Sequence, residues 1–282
     1  MQSHGGPAGV QAEFDLSLAT PEDVVNRIAL SRARANRRFR LIFGLTWLVL
    51  VGGLVLALWF IGKIDTAFIA TWSPLILTAV PLTLFVSVAS IILAVAFALV
   101  GALGRLSRNP IIYGIATLYV SIVRGTPLIV QIFFVYLALP QFGIVIDPIP
   151  SGILALGFNY GAYLTEIFRA GVEAIPRGQR EAAAALGMQE RDIMRRVILP
   201  QAIRIVTPAI GNDFISMTKD SALVSLVGIQ EVFWNAQNAG NQTFRNFEAL
   251  TIAAAIYWLM TIVLSLGQER LEKRMAESDL RL

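Results

Sequence analysis

The sequence predicts an all-α, polytopic membrane bundle of about six transmembrane helices with one folded cytosolic hairpin. Three observations lead there. The chain has 282 residues, of which 56% are hydrophobic and 15% charged. Its mean hydropathy is +0.66, a balance found in membrane chains and not in soluble domains. The apolar residues fall into long runs, each of which must satisfy its backbone internally and so must be helical. Finally, the positive charges cluster on alternate connections, as the positive-inside rule requires.

Residues 1–19 read as a disordered tail, with the lone histidine, His4, as a solvated terminal residue. Thr20-Pro21-Glu22-Asp23 reads as a helix start: a capping hydroxyl, proline at the first helical position, and acids in the first turn. The helix is expected to run through the basic stretch Arg32–Arg40, so that 1–40 forms a cytosolic tail and amphipathic helix. The apolar run 41–62 exceeds a signal-peptide core and is expected to remain as a span. Further spans are expected at 75–103, 111–140, 151–172, 205–229 and 248–268. The second is long enough to tilt or to extend past the bilayer. Arg124-Gly125-Thr126-Pro127 interrupts the third with a charge and two helix disruptors, so 111–123 is expected to lie along the cytosolic interface before the chain turns inward. These four residues are candidates for a gate or a subunit interface. Residues 141–150 and 230–247 read as external loops, and 271–282 as a cytosolic tail. With both termini inside, segments 1–40, 104–124, 169–204 and 268–282 hold 20 of the 23 Lys and Arg. Only Lys63 and Arg245 fall outside, and Lys219 lies within a span.

That orientation puts the polar stretch 181–200 in the cytosol. Glu181 to Leu186 are strong helix formers, and Gly187 supplies the left-handed turn that ends a helix. A second helical stretch follows, which Leu199-Pro200 is expected to close. Ala182 and Ala183 keep the helix surface thin for a close partner, and Glu181 offers that partner a charge.

Inside the spans, Asn159, Tyr163 and Glu166 recur at i, i+4 and i+7 and share a face. Gly157, Gly161 and Thr165 form a neighbouring stripe of small residues suited to close helix packing. Asp213 and Asp220 are seven residues apart on one stripe, with Lys219 about 100° around the helix. Charges at such depth mark a substrate path or bond one another between helices or subunits. A zwitterionic substrate would need both signs, and both are available.

Several classes are excluded or disfavoured. The absence of cysteine rules out disulfides and thiolate metal sites. No metal-ligand set and no catalytic constellation is present, so the chain does not read as an enzyme. It has no phosphate-binding GxxxxGK[ST] loop. The net charge of +4 reflects membrane orientation, not nucleic-acid binding. An ion-coupled secondary amino-acid transporter would use the buried acids but would leave the hairpin without a task.

The hairpin reads Glu181-Ala182-Ala183, three residues, Gly187, nine residues, Val197, one residue, Leu199-Pro200. This resembles the signature of ABC-importer permeases, with valine where isoleucine is usual. Arg124-Gly125-Thr126-Pro127-Leu128, Gly161-Ala162-Tyr163-Leu164-Thr165-Glu166, Ile175-Pro176-Arg177-Gly178-Gln179 and Lys219-Asp220-Ser221-Ala222-Leu223 resemble the polar amino-acid subfamily, the histidine/glutamine/arginine type. The resemblance covers about residues 70–270 and leaves 41–62 as an additional span. It implies the type I ABC importer permease fold, a coupling hairpin at 176–200 seated on an ATPase, and a permease for polar amino acids in a bacterial inner membrane. It further implies two ATPase copies that bind ATP and Mg, and no cofactor in this chain. A second permease subunit, identical or related, and an extracytoplasmic amino-acid-binding protein complete the implied assembly.

Overall fold

A computed structural model describes the backbone of residues 21–62 and 65–279 and the side chains of 37–60 and 65–275. His4, Thr20 and Lys63, the tail 1–19 and the capping hydroxyl therefore lie outside the described residues. Residues 1–64 and 65–282 form two units. In the first, α1 (Pro21–Gly62) is one uninterrupted helix carrying the apolar span Arg37–Phe60. It begins at the proline from which the sequence predicts a helix.

The second unit is helical throughout its described residues, with no strand. Helix α2 (Thr66–Leu77) starts well before residue 75. The carboxylate of Asp65 caps it, accepting from the amides of Ala67 at 2.8 Å and Phe68 at 3.3 Å. With α3 (Val80–Arg105) it makes one stretch long and apolar enough to span. Helix α4 (Pro110–Gly125) then meets α5 (Leu128–Phe133) at a bend of 107°. On α4, Ile111, Ile115, Leu118 and Ile122 form an exposed apolar stripe, while Ala116, Val120 and Val123 face inward. That is an amphipathic pattern with one apolar face turned outward, and the helix ends at the interruption 124–127 as the sequence predicts. A π-turn (Phe134–Ala138) and a 3-10 turn (Leu139–Phe142) complete the bent segment.

Helix α6 (Pro148–Glu173) leads into the short α7 (Arg177–Ala185). Then follow α8 (Glu190–Asp192), a π-turn (Ile193–Ile198) and α9 (Leu199–Asp220), with a 3-10 turn to Val227. Helices α10 (Val232–Thr243) and α11 (Asn246–Asp279) end the described chain. Three stretches among the described residues, and the bent pair as a fourth, have the length and composition of a span. Helices α6 and α9 have 26 and 22 residues. Their interior polar groups dilute the apolar signal.

Two sequence readings are corrected. Leu199-Pro200 does not close the second hairpin helix, because Pro200 sits in the first turn of α9, where its missing amide is no loss. The wide π-turn just before it spares the usual clash with the preceding turn. The same device precedes Leu139-Pro140. Residues 230–247 are not a loop: the Glu231 carboxylate caps α10 through the Trp234 amide at 2.9 Å. Ala236, Ala239 and Gly240 recur at helical spacing and are buried.

Two cores result. One joins α2, α10 and α11; the other joins α3, α5, α6, α9 and the 3-10 turn that follows α9. The second is built on the predicted small-residue stripe. A Cβ on Gly161 would lie 2.6 Å from Phe97 Cβ, and one on Gly101 would lie 2.2 Å from Thr165 Oγ1. Only glycine lets α3 and α6 approach so closely. Gly161→Ala should therefore destabilise the protein by about 1–3 kcal/mol through overpacking. Gly114→Ala, on the open face of α4 with nothing within 4 Å, should be neutral or mildly stabilising. Thermal unfolding in detergent, read by size exclusion, checks this. Equal midpoints for the two variants would contradict the packing argument.

Candidate functional site

Three elements enclose a cavity of about 510 Å³. The α4–α5 elbow contributes Arg124, Gly125, Thr126, Pro127 and Leu128; α6 contributes Asn159, Tyr160 and Tyr163; α9 contributes Asp213, Ser216 and Asp220. The elbow is stable because its freed backbone groups are taken up locally. Gln131 Nε2 donates to the Val123 carbonyl at 2.8 Å and the Thr126 carbonyl at 3.2 Å, and Thr126 Oγ1 donates to the Ile122 carbonyl at 3.0 Å. Thr126 and Pro127 are extended, which a residue before proline favours.

The charges in this cavity are of both signs. The Arg124 guanidinium lies 5.1 Å from the centre of the Tyr163 ring, a cation–π distance. Tyr160 donates its hydroxyl to Asp220 Oδ2 at 2.7 Å. Asp213 Oδ2 is buried and has no hydrogen-bond partner among the described residues. That oxygen is left as a free acceptor beside the cavity.

Of the path residues named from sequence, Asn159, Tyr163, Asp213 and Asp220 line this cavity, together with the four elbow residues. Glu166 and Lys219 are not in its lining. Glu166 is held by Arg105 Nε at 2.9 Å and Arg169 Nη2 at 2.9 Å; Lys219 is exposed. Sequence reasoning did not single out Tyr160, which lines the cavity. Its place between Asn159 and Tyr163 was the available signal.

At the hairpin, α7 ends at Gly187 with φ +78°, the left-handed conformation predicted for it. The Gly187 amide donates to the Ala184 carbonyl at 2.9 Å and the Met188 amide to the Ala183 carbonyl at 3.2 Å. Ala183 points inward, into a small core with Ile175, Ile193 and Ile198, and Val197 packs against that core. These two residues hold the hairpin together and do not face outward. Glu181, Ala182, Gly187, Leu199 and Pro200 are exposed. So is Leu186, at 83%, a large apolar side chain at the tip that sequence reasoning did not single out.

Residues 94–277 match the family described as "Binding-protein-dependent transport system inner membrane component". The arginine transport system permease protein ArtQ of Bacillus subtilis is 39% identical over 208 residues, covering 73% of this chain and 94% of that one. The L-cystine transport system permease protein TcyB of the same organism is 38% identical over 203 residues, covering 72% and 87%. The glutamine transport system permease protein GlnP of Escherichia coli is 35% identical over 204 residues, covering 72% and 93%. Among solved structures, an amino acid ABC transporter crystallised with histidines superposes with a TM-score of 0.71 at 39% identity, covering 75% of this chain and 99% of that one. The MetNI methionine ABC transporter, facing inward, shares the fold with a TM-score of 0.60 at 19% identity, covering the same shares. The chain therefore belongs to the family of binding-protein-dependent transport inner-membrane components, the type I ABC importer permeases, whose ATP hydrolysis is done by a separate ATPase.

Proposed function

We propose that this permease carries a polar amino acid across a bacterial inner membrane through the cavity between the elbow, α6 and α9. The observation that carries this reading is one cavity lined by the guanidinium of Arg124 and by the carboxyl groups of Asp213 and Asp220. An α-amino acid brings an ammonium for Asp213 and Asp220 and a carboxylate for Arg124. The volume of about 510 Å³ suits a single small ligand. The relatives' names support the substrate class, since arginine, cystine and glutamine are all polar amino acids.

The hairpin 176–200 is the ATPase seat in this reading. Glu181 and Leu186 offer a charge and an apolar contact, Ala182 lets the partner come close, and Gly187 sets the turn. Two ATPase copies would hold ATP and Mg, and two permease subunits, identical or related, would pair. An extracytoplasmic binding protein would deliver the substrate. Residues 70–270 form the permease domain and 41–62 an added span, a division supported by a family match that begins at residue 94. Both termini and the hairpin are cytosolic, as the positive-inside distribution supports.

Three outcomes are expected. Asp213→Asn should lower ATP-driven uptake about tenfold, because a hydrogen bond to a charged group is worth about 1.5–3 kcal/mol. The ATPase should still copurify in wild-type amounts. Unchanged uptake would remove Asp213 from the path. Gly187→Val forces a β-branched residue into the left-handed region at about 1–2 kcal/mol, and Glu181→Lys reverses the offered charge. Each should reduce ATPase copurification, and wild-type assembly in both would sink the hairpin assignment. Single cysteines at Gln237→Cys and Glu190→Cys, in a chain with none of its own, test the orientation. An impermeant thiol reagent on intact spheroplasts should label the first and spare the second, and the reverse pattern would invert the topology.

A further inference from the structure

Glu166 has the depth and charge of a path residue, yet both of its oxygens are spent elsewhere. Arg105, the last residue of α3, binds Oε1 through Nε at 2.9 Å. The same guanidinium donates through Nη1 to Thr117 Oγ1 on α4 at 2.6 Å and lies 4.9 Å from the centre of the Tyr113 ring, also on α4. A single arginine thus joins α3, α4 and α6. The pair is shielded, with side chains 14% and 19% exposed, so it is not one of the loose surface pairs that contribute little.

The position of this junction is informative. Arg169, beside Glu166 on α6, continues the chain of charges to Glu173 at 2.5 Å. Glu173 is the last residue of α6, and the hairpin helix α7 begins at Arg177. Closer to the hairpin, a cavity of about 540 Å³ lies between the α3–α4 turn and the start of α7, lined by Leu106 and Arg108 on one side and by Arg177 and Arg180 on the other. The hairpin therefore reaches α4 through α6, first at the Arg105–Glu166 junction and further along where the Tyr119 hydroxyl donates to the Phe158 carbonyl at 2.8 Å. At its other end, α4 carries Arg124 and Gly125 into the substrate cavity. Arg124 is itself stacked on Tyr163 of α6.

We infer that Arg105 and Glu166 are positioning residues that make α4 move with α6, so that a displacement of the hairpin resets Arg124 and the elbow at the cavity. This rests on the hairpin being the ATPase seat and the cavity the path. The pair touches neither the substrate nor the ATPase. Its loss separates ATP hydrolysis from transport without emptying either site.

The test uses the complete transporter in proteoliposomes, with the ATPase and the binding protein, measuring radiolabelled amino-acid uptake and phosphate release on one sample. Glu166→Gln should lower uptake per ATP hydrolysed at least about fivefold, the lower end of ordinary site-to-site coupling, with hydrolysis retained. Arg105→Lys keeps the charge but loses the reach to Thr117, and should fall between Glu166→Gln and wild type. A static brace predicts an unchanged ratio, with uptake and hydrolysis falling together or not at all, and that result overturns the inference. Should Glu166→Gln fail to assemble, Thr117→Val decides. It is nearly isosteric, leaves the ion pair in place and removes the hydroxyl through which Arg105 hydrogen-bonds α4, along with that hydroxyl's own bond to the Tyr113 carbonyl on the same helix. A lowered ratio supports the inference and a wild-type ratio overturns it. Failure of the underlying functional reading would be seen separately, as absence of ATP-driven amino-acid uptake in the wild-type transporter.

Discussion

In hydrocarbon an unpaired peptide group costs several kcal/mol, so every interruption of a spanning helix has to be repaired or wetted. The breaks in this chain follow that constraint. Before Leu139-Pro140 and Leu199-Pro200 the helix widens into a π-turn instead of ending. At the elbow, Gln131 caps the Val123 carbonyl freed by Pro127. The remaining irregular backbone, at Gly125, Thr126 and Pro127, lines the cavity. Irregular backbone is tolerated at that depth only beside protein or water, so the break and the cavity imply each other.

The two ends of the second unit are built differently. At the end expected to be external, Glu231 is fully buried and accepts from the Trp234 amide and the Tyr257 hydroxyl, joining α10 to α11. Thr83 of α3 accepts from the Val232 amide at 3.2 Å. Arg245 bridges Asp65 at 2.9 Å and Glu248 at 3.0 Å, which ties in the start of α2. Four helices are thus pinned to one another there. At the opposite end the hairpin has its own small core and leaves an open cavity against the α3–α4 turn. Such an element has room to shift as a body while the far end stays fixed.

Much of this architecture was legible in the sequence because it depends on local chemistry. The left-handed turn at Gly187, the interruption at 124–127, the close-packing stripe Gly157-Gly161-Thr165 and the shared stripe of Asp213 and Asp220 are set by residue type and short spacing. The partners of charged groups were not legible. Glu166 looked like a path residue from its own helix, but Arg105 lies 61 positions away, and no periodicity connects them. Tyr160 reaches Asp220 across 60 positions for the same reason. Ala183 was read as outward because alanine is compatible with either side of a small helix; the fold of 175–198 decided its direction. Pro200 was read as a stop because proline disrupts helices in general, whereas at the start of a helix after a π-turn it disrupts nothing. The helical state of 232–243 was hidden by its Asn and Gln content, and its signal lay in one capping acid and three small residues.

The cavity's electrostatics bear on how such a protein can bind and still release. The cavity is lined by the guanidinium of Arg124 and the carboxyl groups of Asp213 and Asp220. A ligand held by Arg124, Asp213 and Asp220 together would stabilise the arrangement of the walls that brings all three onto it. Those walls are not independent of the hairpin. Helix α6 runs into α7 across three residues, and α8 runs through its π-turn directly into α9. The two legs of the hairpin thus continue two of the three cavity walls. A rigid shift of the hairpin must alter the spacing of Asn159 and Tyr163 on one wall against Asp213 and Asp220 on the other. The complementarity that favours binding is geometric, and a change of spacing by the length of one hydrogen bond removes it. Release then needs no separate device.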